Sequence, residues 1–103
     1  MNRLWQRLLG RGLVTPIDQM HSKNPPSHPE LLRWLARDLV GHGYDLRRLI
    51  RGIVLSQAYA RSSEWDSSAR PAPDLFAVAA VRAFLPQQYS ASLSIAAASP
   101  DQF

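Results

Sequence analysis

The stretch 25–40, which reads PPSHPELLRWLARDLV, restricts the fold of this chain more than any other part of the sequence. Its prolines fix the backbone torsion φ and disfavour helix in the residue that precedes each of them. Ser27 and Glu30 stand three apart just before an apolar run, which is the spacing of a capping box. Pro29 falls in the first turn, where its missing N–H is no loss. The stretch therefore predicts a helix that starts at Ser27.

The rest of this stretch is typical of an amphipathic helix. Trp34 lies at the edge of an apolar stripe that has the spacing of one buried helix face, formed by Leu31, Leu32, Leu35 and Leu39. Gly41 and Gly43 supply positions that tolerate the left-handed backbone on which helices often end. We predict a helix over 27–40.

A second amphipathic helix is predicted directly after a short glycine-rich link. Asp45 is a good N-cap, and an apolar face follows it, made of Leu46, Leu49, Ile50, Ile53, Val54 and Ala58. Because short links join helices that pack side by side, we predict an antiparallel amphipathic helix pair, 27–40 with 45–58. Leu35 and Ile50 are expected to be buried between these helices.

The remaining segments complete an all-α prediction, since no stretch shows sustained strand alternation. The chain opens on an N-terminal helix that stops at Gly10, and a C-terminal helix is predicted over 87–98. Residues 61–73 are polar and predict a surface loop, whereas 75–84 is compatible with either a helix or an extended segment. Because the first helix has no N-cap, we expect 1–103 to be a single partial helical domain, a fragment of a longer one.

Composition removes several functional classes. The chain has no cysteine, which excludes disulfides, thiolate catalysis and cysteine-ligated zinc or haem. His21, His28 and His42 include no pair at i,i+4 and no HExxH motif, so no metal site is predicted. No apolar run is long enough to cross a bilayer.

The basic residues are concentrated in the first half of the chain. Residues 1–51 hold nine Arg or Lys against four Asp or Glu, whereas 52–103 hold three against four. Such a distribution permits nucleic-acid binding. The other interpretation is that these arginines, the type of all but one of the basic residues, lie on outer helix faces and in ion pairs.

A continuous series of motifs resembles one bacterial family. The segments NRLWQRLLGRGLV, PIDQM, NPPSHPELLRWLARDLV and YDLRRLIRGIVLSQAYARSS occur in this order. They resemble the domain of unknown function numbered fifteen-fifty-three, which is typical of planctomycetes. The resemblance is close over residues 1–63 and looser to about residue 93. Gln19 departs from the family's acidic pair, and Phe84 and Leu85 leave no Ser or Thr to cap the last helix.

This resemblance implies a setting without implying a reaction. Proteins of this family are long and exported, which implies an exported or periplasmic parent. They carry a partner domain of unknown function and often a cytochrome-c-like haem module. No CxxCH motif occurs here, so any haem would belong to a separate module of the parent. The family domain is also longer at both ends, which agrees with a fragment.

The candidate catalytic residues are Asp18, His28 and Glu30. A histidine and two carboxylates can act as an acid/base set. Each also has a structural interpretation: Glu30 as a capping-box residue, Asp18 as the partner of a nearby arginine in a partly buried ion pair, and His28 as a local hydrogen-bonding group. A polar cluster is only probabilistic evidence of a site.

The candidate binding residues are Arg3, Arg11 and Trp65. Arginines can hold an anionic substrate, and an exposed tryptophan can stack on a sugar or on a partner protein. Trp65 lies among polar residues and is predicted to be exposed, whereas Trp5 and Trp34 lie beside leucines and are predicted to be core.

Three functions remain open from the sequence. The first is a non-catalytic packing or interaction module of a larger exported protein, whose partners are the flanking domains. The second is one wall of an enzyme active site, possibly polysaccharide-related, that other domains complete. The third is nucleic-acid binding through the arginine-rich half.

Overall fold

The computed structural model describes residues 1–98, in which four α-helices occur and no strand. The all-α prediction is therefore confirmed. The helices are α1 (Asn2–Leu9), α2 (Pro29–Gly41), α3 (Leu46–Val54) and α4 (Pro86–Ala97), and a single 3-10 turn spans Pro73–Leu75.

Helix α2 begins at Pro29, two residues later than predicted. Its N-cap is His28, and no side chain caps its first N–H groups. Because Pro29 takes the first helical position, Glu30 falls at the second position and not the third, so the capping box does not form. Ser27 instead donates its backbone N–H to the carbonyl of Leu13, and its hydroxyl lies 3.0 Å from Nδ1 of His28.

The link between α2 and α3 turns tightly through two left-handed residues. Gly43 and Tyr44 both have a φ of 62°, while Gly41 still belongs to the helix. The Tyr44 N–H donates to the carbonyl of Leu39 at 2.8 Å, which satisfies one of the free carbonyls at the end of α2. The chain thus reverses within four residues and returns along α2.

Helix α3 starts as predicted and ends earlier. Oδ1 of Asp45 accepts the Arg48 N–H at 3.0 Å, which confirms Asp45 as the N-cap. The helix stops at Val54 and not at residue 58. Ser56 gives the reason, because its hydroxyl donates to the carbonyl of Ile53 at 2.6 Å and accepts the N–H of Tyr59. Such local bonds compete with helical ones.

Helix α3 packs against both α1 and α2, and the core lies where these three helices meet the loop after α1. Its buried apolar side chains are Trp5, Leu13, Val14, Leu35, Leu49 and Ile53. The stripe predicted for α2 is confirmed, since Leu31, Leu32 and Leu39 pack against this cluster.

Two core predictions were wrong. Ile50 is half-buried, because the buried face of α3 runs through Leu49 and Ile53 instead. Trp34 is 61% exposed. It precedes Leu35 by one residue, which places it about 100° around a helix of 3.6 residues per turn and off the buried stripe.

An ion pair ties the two helices of the hairpin together. Nη1 of Arg48 on α3 donates to Oδ2 of Asp38 on α2, and the Asp38 side chain is only 13% exposed. His42 donates from Nδ1 to the carbonyl of Asp38 at 2.8 Å. The pairing of a residue near the end of α2 with one near the start of α3 is the geometry of an antiparallel hairpin.

The later half of the chain is much more open. Residues 61–70 are exposed and irregular, and after the 3-10 turn the segment 76–85 has no regular secondary structure. The choice between helix and extended chain for 75–84 is thus decided against a helix. Helix α4 starts at Pro86, one residue before the predicted start, and the amide of Gln88 caps it by accepting the Leu85 N–H at 2.9 Å. All twelve residues of α4 are exposed.

We predict that Leu35→Ala destabilises the protein by about 2–5 kcal/mol, the cost of a cavity at a leucine in a packed core. Chemical denaturation followed by circular dichroism measures the free energy of unfolding. Trp34→Ala, its neighbour on the exposed side, is the control and should change stability by less than about 0.5 kcal/mol. Equal effects of the two substitutions would contradict the assignment of the buried face.

We predict opposite outcomes for the two residues expected to cap helices. Asp45→Ala should cost about 1 kcal/mol, because it removes the acceptor of the Arg48 N–H. Ser27→Ala should cost less than about 0.5 kcal/mol, because the bond from Ser27 to Leu13 uses only the backbone. Thermal melts of both variants test this. An equal loss of stability in the two variants would show that the Ser27 side chain caps α2 after all.

Candidate functional site

The best-defined polar centre is formed by the side chain of Asn2, which is 4% exposed. Its Nδ2 donates to the carbonyl of Val14 at 2.9 Å and to that of Ile17 at 3.2 Å, while its Oδ1 accepts the Val14 N–H at 3.0 Å. A buried amide that satisfies three backbone groups fixes the loop after α1 onto the helix from which it came. We call this set of bonds the Asn2 clamp.

Two further contacts hold the loop that the clamp starts. Nδ2 of Asn24 donates to the carbonyls of Thr15 and Gln19, at 3.2 and 2.8 Å. A Cβ at Gly12 would come within 2.8 Å of Oδ1 of Asn2 and 2.7 Å of the Val14 carbonyl, so only glycine fits there. The loop is therefore shaped by polar contacts at both of its ends.

Of the predicted site residues, the structure brings Arg3 and Asp18 together. Nη2 of Arg3 donates to Oδ1 of Asp18, and the two side chains are 76% and 65% exposed. The ion pair that we predicted for Asp18 thus exists, but it is exposed and not partly buried. An exposed pair of this kind contributes at most about 1 kcal/mol.

The other two catalytic candidates have separate surroundings. The half-buried ring of His28 lies against Phe76, with the ring centroids 5.8 Å apart, and its Nδ1 lies beside the Ser27 hydroxyl. Glu30 is exposed in the first turn of α2. His28 therefore contacts an aromatic ring and a serine, and neither Asp18 nor Glu30 is among these contacts.

The remaining binding candidates stand apart from one another as well. Arg11 is exposed just beyond α1. Trp65 is 43% exposed, and its Nε1 donates to the carbonyl of Ala69 at 2.8 Å, so its ring is part of a local turn. It is also not the single exposed aromatic, because Trp34, Tyr44, Phe84 and Tyr89 are each more than half exposed.

Two kinds of feature, a metal-ligand cluster and a membrane-spanning helix, are absent from residues 1–98. No three His, Cys, Asp or Glu side chains cluster as metal ligands would. None of the helices in this part of the chain has the length and apolar character that a membrane crossing requires.

Two concave regions border α1. The smaller one, about 230 Å³, lies between the end of α1 and residues 76–82, and it falls below the roughly 300 Å³ at which ligand pockets begin. The larger one, about 1170 Å³, is an open groove between α1, the start of α3 and residues 80–88. We call it the basic groove, because Arg3, Arg7 and Arg82 line it beside the apolar residues Leu4, Phe84 and Leu85.

The basic groove is larger and more open than a typical small-molecule pocket. Its volume exceeds the roughly 300–1,000 Å³ of small-molecule pockets, and it is open where such pockets enclose most of the ligand. Phe84 and Leu85 are more than half exposed in it. Apolar side chains of this size, open to water and beside arginines, are typical of protein interfaces.

The comparisons with known proteins identify the family of this chain. The chain matches the family described as "Protein of unknown function (DUF1553)" over residues 1–102, and it belongs to that family. The match extends past the 63 residues that carry the close resemblance and includes the C-terminal helix. No curated protein and no solved structure matches the chain.

Sequence reasoning missed the two residues that organise this region. Asn2 lies in the first family motif, but a single amide near a helix start gives no sign of the loop that it binds. Arg82 lies in the segment that resembles the family more loosely, and this resemblance gives no sign that its Nη1 donates to the carbonyl of Arg7 at 2.6 Å, 75 residues away. Only a contact map can reveal a bond between residues so distant in the chain.

We predict that Asn2→Ala destabilises the protein by about 3 kcal/mol or more, because it leaves buried backbone groups at Val14 and Ile17 without partners. Urea denaturation measures the loss. Arg3→Ala, on the next residue, removes only the exposed ion pair and should cost at most about 1 kcal/mol. A mild effect of Asn2→Ala would mean that water replaces the clamp.

Proposed function

We propose that this chain is a non-catalytic packing or interaction module of a larger, multidomain exported bacterial protein, whose surfaces dock on the flanking domains. The observation that carries the proposal is the amount of surface that the chain leaves in water. The exported, multidomain setting rests on the family resemblance of the sequence.

The accessible surface is too large for a compact monomer. It measures 8193 Å² for a chain of 11.6 kDa, whereas a folded monomer of this mass exposes about 5,800 Å². The excess of about 2,400 Å² is well above the roughly 800 Å² that each partner contributes to a standard interface. The radius of gyration is 16.9 Å, against about 13 Å for a compact domain of this length.

The exposed surface is also apolar in a continuous part of the chain. Seven large apolar side chains between residues 75 and 95 are each more than half exposed, namely Leu75, Val81, Phe84, Leu85, Tyr89, Leu93 and Ile95. Single exposed apolar residues are common, but seven within one short segment leave much apolar surface in water, and large exposed apolar patches mark interaction surfaces. The apolar character of this segment supports the proposal that it docks on another protein surface.

The polar residues support the non-catalytic side of the proposal. Asn2 and Asn24 bind backbone groups, Asp18 binds Arg3, and Asp38 binds Arg48. A catalytic set requires an acid or base within hydrogen-bond reach of a second functional group and of the substrate. These side chains are instead bound to the fold itself.

We predict that the purified chain binds a hydrophobic dye and self-associates, because its apolar segment lies in water. Replacing Leu93 and Ile95 on α4 by Gln should reduce both properties while keeping a good helix former at each position. The control carries Gln at Ala91 and Ser92, on the same helix, and should behave as the parent chain. Dye fluorescence and sedimentation velocity measure the two effects.

A chain that is monomeric, melts in one sharp transition and binds no dye would contradict the proposal. Binding to single-stranded or duplex DNA that weakens steeply with salt would instead favour the nucleic-acid interpretation, since phosphate contacts carry that dependence.

A further inference from the structure

We propose that the basic groove accepts an acidic amphipathic helix of a flanking domain in the parent protein, and this inference rests on the proposed interaction function. The groove combines three arginines with exposed apolar side chains. Such a surface fits a helix that presents leucines on one face and carboxylates along its edges, the arrangement of helix-in-groove recognition.

The positive charge of the groove favours a partner that carries negative charge. Arg3, Arg7 and Arg82 line it, and no acidic side chain of the described residues lines it with them. Asp18 neutralises Arg3 in part, whereas Arg7 and Arg82 form no ion pair within residues 1–98. Guanidinium groups bind carboxylates with two parallel hydrogen bonds, so a partner rich in Glu or Asp is favoured.

The apolar part of the groove selects an amphipathic partner over a simple polyanion. Phe84 is 66% exposed, and Leu46 and Leu85 are each 54% exposed. All three line the same groove, together with Leu4 and Ile17. A polyphosphate or a nucleic-acid backbone would cover none of this apolar surface, whereas leucines on one face of a helix would.

The groove wall at residues 80–82 is anchored without a partner. Its wall from residue 80 onward is fixed to the end of α1, where Nη1 of Arg82 donates to the carbonyl of Arg7. Gly10 has a φ of 86°, and a Cβ there would lie 3.0 Å from Cβ of Ala80, which shows how closely the two segments approach. A preformed groove loses little conformational entropy when a helix binds.

The test uses labelled peptides of about 15 residues, roughly four helical turns. One carries leucines on one face and glutamates elsewhere, a second has lysines in place of the glutamates, and a third is a scramble of the first. Fluorescence anisotropy at a low, fixed peptide concentration measures binding to the full chain. We expect the acidic amphipathic peptide to bind at least about tenfold more tightly than either of the others, because like charges oppose docking.

Variants of the chain locate the binding site. Arg7→Glu and Phe84→Ser should each weaken the acidic peptide about tenfold, since one reverses a charge and the other removes an apolar contact. Arg33→Glu reverses a charge on the exposed face of α2, outside the groove, and is the matched control. Circular dichroism of each variant verifies that the helices are retained.

The outcomes separate this inference from the proposed function. Equal binding of the acidic peptide and its scramble, or equal effects of Arg7→Glu and Arg33→Glu, would overturn the groove as the site. So would an oligothymidylate that binds as tightly as the peptide and competes with it. If dye binding and self-association persist in that case, the interaction function stands and only the groove is wrong. Loss of all these properties would overturn both.

Discussion

The Asn2 clamp is the contact on which the other packing depends. By binding Val14 and Ile17 it folds the loop after α1 back onto that helix, and this places Leu13 in the core. The carbonyl of Leu13 then accepts the N–H of Ser27, directly before α2. One buried amide thus sets where α2 starts relative to α1, and α3 packs against both. Because the interior is small, few apolar contacts could replace it.

The exposure of the later segment follows from the small size of the core. The core is filled by α1, α2, α3 and the loop between α1 and α2. Among the described residues of the later segment, Phe76 is the one that packs on it, with its ring edge-on to Trp5 and the ring centroids 5.5 Å apart. No comparable apolar surface remains for Tyr89, Leu93 and Ile95 to cover. Arg3 and Arg7 lie on the outside of the first half, where together with Arg82 they give the groove its charge. The proposed interaction surfaces thus consist of side chains that this small core leaves in water.

The sequence predicts local features well and long-range ones poorly. Periodicity identifies the helices, and Asp45 is recognised as a cap because a cap acts on its own neighbours. The predicted start of α2 is two residues too early, because the rigid ring of Pro29, and not the spacing of Ser27 and Glu30, determines the first helical position. The burial of Trp34 is predicted wrongly, because a residue at the edge of an apolar stripe is buried only if another part of the fold covers it. The site is predicted least, because no pattern of sequence spacing indicates that Arg82 binds Arg7, 75 residues away.

That bond has a consequence for how the chain can vary. This hydrogen bond closes a loop of 75 residues that includes the irregular stretch 61–72. The entropy of closing a loop changes only slowly with its length, by about 0.6 kcal/mol for each doubling. Extra residues accommodated in this stretch would therefore leave the attachment of residue 82 to α1 nearly as favourable as before. The stretch 61–72 is therefore a natural place for length variation or for an inserted reporter.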